Sequence, residues 1–223
     1  MTQIFGADSR MPANTRLTNG YTLYDWVMRM GCFPSFWGRS LNGDKSITTE
    51  EIDFLHSKHC KIVFILRDLK EEEISINEDL VSSRAIEATK SLGIPQNKGI
   101  AIFAEIDPEY SVNHNWMIRF ASNLNNSGYI PGFIGNTDSS KNFNFGRQCS
   151  HYVQATRDVD QLHALYWSTE PKYRFDPCKW ASYAPSALLP KDMHLWQYGS
   201  VDFHSVHANK NYVRDASVMK HFY

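Results

Sequence analysis

Three carboxylates alternate in the segment Glu105-Ile106-Asp107-Pro108-Glu109. In extended chain every second side chain points the same way, so Glu105, Asp107 and Glu109 would share one face. Crowded carboxylates raise at least one pKa among them. An acid that keeps its proton beside an ionised partner is what glycosidic cleavage by general acid catalysis requires. The same residues also read as an Asp-Pro turn entering a helix, since proline and acidic residues favour a first helical turn. Asp8 and Asp215 lie far away in sequence and join this chemistry only if their strands neighbour that segment. Taken singly, they read as an Asx-type turn and a surface charge.

Further polar residues end apolar runs: Arg39, Arg67 with Asp68, Asn136, Trp167, and Gln197 with Tyr198. Arg39 suits either a pairing with the carboxylates or an ordinary structural salt bridge. Trp167, Trp180, Trp196 and Tyr198 offer flat faces on which sugar rings stack, or they fill a core. Two His-x-x-His pairs, His56 with His59 and His204 with His207 behind Asp202, have no third ligand at a familiar spacing. Neither a metal nor a cofactor is assigned. Cys32, Cys60, Cys149 and Cys178 form no Cys-x-x-Cys pair and read as buried thiols, with one disulfide as the alternative.

These residues need elements to position them. The run Ile4–Asp8 precedes Leu23, Trp26, Val27 and Met30, which have helical spacing. Residues 33–41 form the next run, and Thr48 with Glu51 has the spacing of a capping box ahead of Ile52 and Leu55. Lys61–Leu66 leads to a stripe of Val81, Ala85, Ala88 and Leu92, stopped by Gly93 and Pro95. Residues 99–106 are followed by Met117, Phe120, Ala121 and Leu124, and residues 129–134 make a fifth run. Such alternation favours a parallel sheet, because parallel neighbours need a crossover and a helix is the usual one.

From Ser139 the rhythm breaks, and runs at 165–167, 195–198 and 212–218 supply three strands with little helix between them. The expected fold is α/β: a TIM-like β/α barrel of five β/α units followed by three strands. The alternative, a doubly wound nucleotide-binding sheet, needs a glycine-rich loop after its first strand, and residues 9–14 contain no glycine. Barrel active sites gather at strand carboxyl ends. The first and last strands of a closed barrel are neighbours, so Asp8 and Asp215 are expected near Asp107.

The chain has 223 residues, 42% hydrophobic and 21% charged, consistent with a single domain over 1–223. A net charge of −1 provides no basic field for nucleic acid or an anionic membrane surface. No apolar run is long enough to span a membrane, and residues 1–5 lack a basic segment leading into one. The expectation is a soluble protein without a standard export signal, cytoplasmic as synthesised, then released or delivered to its substrate. Oligomeric state is not legible.

Several segments, in order, resemble glycoside hydrolase family 25 lysozymes and the related glycoside-hydrolase-like domains: Phe5-Gly6-Ala7-Asp8, Phe36-Trp37-Gly38-Arg39-Ser40-Leu41, Ile106-Asp107-Pro108-Glu109, Leu195-Trp196-Gln197-Tyr198 and Val213-Arg214-Asp215-Ala216-Ser217. The resemblance implies an N-acetylmuramidase acting on peptidoglycan or a related amino-sugar polysaccharide. It implies Glu109 as proton donor, Asp107 as its assistant, Asp8 and Asp215 completing an acidic cleft, and Arg39, Gln197 and Tyr198 orienting carboxylates or sugar hydroxyls. A second register, Glu105-Ile106-Asp107, reverses the order of the two acids and makes Asp107 the donor. Gly38-Arg39-Ser40-Leu41 and Gly93-Ile94-Pro95 look closer to the related domains, which implies the alternative of a glycan-binding or wall-binding barrel without turnover.

Overall fold

The structure, a computed structural model, describes residues 4–138, 140–141, 144–159, 162–173 and 193–223. Trp180 and Cys178 lie outside them. Eight strands close into a barrel in sequence order: β1 (Ile4–Asp8), β2 (Phe36–Ser40), β3 (Lys61–Leu66), β4 (Ala101–Glu105), β5 (Ile130–Gly135), β6 (Leu165–Tyr173), β7 (Leu195–Phe203) and β8 (Val206–Val213). The helices α1 (Leu23–Arg29), α2 (Thr49–Ser57), α3 (Glu71–Ile76), α4 (Glu78–Ser91), α5 (His114–Asn126) and α6 (Phe145–Ala155) provide the crossovers through β6. This is the expected TIM-like β/α barrel of five β/α units and three further strands.

Two details differ from the expectation. Helix α6 occupies the stretch where the apolar rhythm breaks, burying only Phe145, Cys149 and Tyr152, one narrow stripe at i, i+4 and i+7. The last strand is Val206–Val213 rather than 212–218, and it runs antiparallel to both β7 and β1. Ala216–His221 is instead a 3-10 helix. Its Val218, with Phe222 beyond it, closes the amino end of the barrel.

Two apolar layers result. Phe36, Val63, Ile65, Phe103, Trp167 and Leu195 fill the lower interior, while a larger cluster packs the outside of the sheet against the helices. Local chemistry sets the helix starts: the Thr22 hydroxyl accepts from the Asp25 amide, and the Thr48 hydroxyl from the Glu51 amide. The anticipated capping box is only half made, because the Glu51 carboxylate turns inward to Arg39 and the Ala13 amide.

The cysteine expectation is also corrected. Cys32 is disulfide-bonded. Cys60 and Cys149 are free and buried, and burial pushes both thiols well above their ordinary pKa.

Candidate active site

The lower barrel interior is apolar, but its carboxyl-terminal mouth is polar. Asp8 ends β1 pointing inward, and Gly38 on β2 makes room for it. A Cβ on Gly38 would stand 2.7 Å from the Asp8 Cβ. Asp8 is buried at 1% exposure and accepts from three side chains: Arg67 Nη2 at 2.6 Å, Asn211 Nδ2 at 2.8 Å and Asn209 Nδ2 at 3.1 Å. Asn211 in turn accepts from the Trp167 indole at 3.1 Å. A rigid aromatic thus holds the amide that holds the carboxylate.

Arg67 follows β3 and lies between two acids. Its Nε stands 3.6 Å from Glu105 Oε2 at the end of β4, beyond hydrogen-bond range, and both atoms are buried with no hydrogen-bond partner among the described residues. Burial works against the charge of Arg67, but the Glu105 and Asp8 carboxylates outweigh it and raise its pKa. Burial dominates at Glu105. It lifts the carboxyl above the usual glutamate range, Arg67 pulls it back only in part, and the Asp8 charge adds to the rise.

Glu105, 27% exposed, sits on the floor of a cleft of about 420 Å³. Thr169, Gln197 and Asn209 contribute from β6, β7 and β8, while Arg10, Asp68 and Asp107 form part of the rim. Arg10 Nη1 contacts both Asp68 oxygens, at 2.6 and 2.7 Å, with Asp68 held in the left-handed backbone region at φ 53°.

The sequence-derived candidates therefore separate. Glu105, Asp107 and Gln197 line the cleft, and Asp8 lies buried behind it. Glu109 does not line it: Glu109 is exposed beyond a turn in which its amide donates to Asp107 Oδ1 at 2.9 Å. The extended alternation ends at Glu105, where β4 ends, so the three acids do not share a strand face.

Asp215 lies at the opposite end of the barrel. Because β8 runs antiparallel, its carboxyl end pairs with Ile4 at the start of β1, and Asp215 caps the 3-10 helix through the Ser217 amide. Hydrogen bonds from Ser217 lower its pKa.

Four candidate binding residues do other work. Arg39 is fully buried on the helix side, paired with Glu51 at 2.7 Å and donating to the carbonyls of Ser9, Arg10 and Lys45. It pins the loop behind Asp8 and touches no mouth carboxylate; burial lowers its pKa. Trp167 is 1% exposed between Phe36 and Phe103, with no face for a sugar. Tyr198 is buried outside the sheet, stacked on Tyr212, and burial raises its pKa. Asn136 forms an Asx turn with the Asp138 amide and does not line the cleft.

Sequence reasoning missed Asn209, Asn211 and Thr169, and saw Arg67 only as the end of a run. The Asn-x-Asn alternation was the available signal for β8. A larger cavity of about 600 Å³ opens beside the starts of β5 and β6, lined by residues including Tyr152, His163, His194 and His221. No carboxylate lies among its described lining residues, so the smaller cleft is the candidate active site.

The fold is similar to that of an uncharacterised B. stearothermophilus protein, 23% identical with a TM-score of 0.79 over 99% of this chain and 100% of that one. It is similar to the catalytic domain of endolysin ply40 from bacteriophage P40 of Listeria monocytogenes, 13% identical, TM-score 0.57, over 99% and 98% of the two chains. The CTP1L endolysin matches at 9% identity and TM-score 0.53 over 97% of this chain and 68% of that one. At these identities the likeness is one of fold. No family profile and no curated protein matches the chain.

Proposed function

We propose that this barrel is a peptidoglycan hydrolase that cleaves the glycan strand as an N-acetylmuramidase, with Glu105 as proton donor and Asp107 as its assistant. The observation that carries the reading is Glu105, whose carboxyl burial favours in the protonated form, on the floor of an open cleft beside the buried Asp8 carboxylate. The fold shared with endolysins supports the substrate class.

In the proposed step Glu105 gives its proton to the glycosidic oxygen as the bond to the anomeric carbon breaks, and the leaving sugar departs as an alcohol. Asp107, on the rim, orients the substrate's acetamido oxygen or a water for attack on the anomeric carbon. Asp8 acts through charge, opposing ionisation of Glu105. Thr169, Gln197 and Asn209 are placed to hydrogen-bond sugar hydroxyls. This uses the Glu105-Ile106-Asp107 register but gives the donor role to Glu105, because Glu105 is the more buried of the two.

Incubation with purified peptidoglycan should release new reducing ends. Glu105→Gln should abolish release while Glu109→Gln retains it; the opposite pattern sinks the assignment. A second reading, a wall-binding barrel without turnover, is favoured by the turn contact that engages Asp107. Sedimentation with cell walls and no reducing ends at any pH would support it.

A further inference from the structure

A second cavity, of about 440 Å³, adjoins the cleft, sharing Arg10, Arg67 and Asn209 and adding Ser9, Met11, Lys45, Ser205 and His207. One wall is the β7–β8 hairpin. Beyond the irregularity at Gln197 and Gly199, Ser200 stands opposite Asn209 and Asp202 opposite His207. His207 therefore lies on the face that Asn209 turns toward Asp8.

Arg10 is matched by Asp68, and Arg67 by Asp8 and Glu105. Lys45 is different: its exposed ammonium contacts the Met11 sulfur at 2.9 Å, a weak acceptor, and no carboxylate reaches it among the described residues. The His207 ring is fixed by Asp202, Nδ1 to Oδ1 at 2.6 Å, and the Ser9 hydroxyl donates to its carbonyl at 2.6 Å. That leaves Nε2 as the ring atom for a ligand. No carboxylate lies among the described lining residues of this cavity.

We propose that this cavity is an anion subsite that takes a carboxylate carried by the amino-sugar polymer, with Lys45 and His207 as its contact residues. The proposal rests on the peptidoglycan reading and names the charged group that the site recognises beyond the bond it breaks. A carboxylate accepts from the Lys45 ammonium and, when both ring nitrogens of His207 carry protons, from Nε2–H while Nδ1–H is held by Asp202; such charge-assisted hydrogen bonds are the stronger kind. Peptidoglycan carries such groups on the lactyl ether of its muramic sugar and on its stem peptide, whereas a plain N-acetylglucosamine carries none.

The test is titration of the intact protein with N-acetylmuramic acid, muramyl dipeptide and N-acetylglucosamine, followed by histidine-ring and backbone NMR shifts. At least one acidic ligand should bind about tenfold more tightly than the neutral sugar, the gain of one charge-assisted hydrogen bond. Lys45→Ala combined with His207→Gln should erase that preference; both side chains are exposed, so folding is preserved. Preference for the free muramic acid assigns the lactyl carboxylate, and preference for the dipeptide assigns the peptide carboxylate. Equal affinities, no binding of any of the three, or a preference that survives the double substitution overturns the subsite. Acid-selective binding without release of reducing ends would instead defeat the hydrolase reading and leave the subsite standing.

Discussion

Glu105 carries a prediction that separates chemistry from folding. Its folded-state pKa lies above its unfolded value, so the stability it contributes is complete below the ordinary glutamate range and is lost as pH rises through the folded pKa. Glu105→Gln should therefore match or exceed the wild-type Tm at neutral pH while lowering turnover by about 10²-fold or more, the usual worth of a general acid. The wild-type rate should fall on the alkaline side as Glu105 loses its proton. Asp8→Asn should move that limb toward acid, because a neighbouring negative charge has been removed. Asp8→Ala should lower unfolding stability in urea by about 3–5 kcal/mol, since Arg67 is left buried without its closest partner. Asp8 and Glu105 were visible in the sequence as polar ends of apolar runs. The strand face expected to carry Glu109 is absent, because β4 ends at Glu105 and the Asp-Pro turn stops the period-two pattern two acids earlier than the spacing suggested.

At the scale of elements, strands that are apolar on both faces were the most legible: β1 and β3 have the bounds the sequence predicts. Strand β8 was displaced because its inward positions at the mouth are Asn209 and Asn211, polar where a core pattern expects apolar residues. Its antiparallel direction has no local signature, and the placement of Asp215 fell with it. Helix α6 escaped notice because its buried stripe is thin. Packing between β1 and β2 gives a further expectation. Gly38→Ala brings a methyl to 2.7 Å from Asp8 Cβ, 3.0 Å from Ile65 and 3.1 Å from Trp167. Overpacking of that kind costs about 1–3 kcal/mol, and it should lower turnover as well, because the displaced group is Asp8. Wild-type activity in a destabilised Gly38→Ala protein would argue that Asp8 plays no part in the cleft.

For the whole molecule, one barrel accounts for every described element, and described helices contain no segment long and apolar enough to cross a membrane. The disulfide at Cys32 is a constraint that sequence spacing did not reveal, since distant cysteines in no motif read as thiols. Cys32→Ala should lower unfolding stability by about 2–4 kcal/mol, and a reductant should reproduce the loss in the wild type without adding to it in the variant. Cys60 and Cys149 should resist thiol reagents until the protein unfolds.

The reversed last strand has a consequence in time. Asp8 ends the first strand of the barrel to be synthesised, yet two of its hydrogen-bond partners lie 201 and 203 residues later. Pairings at such separation form only when nearly the whole chain is free to close. The barrel mouth is thus assembled last, and a nascent chain holds no finished acid pair until synthesis has passed Asn211.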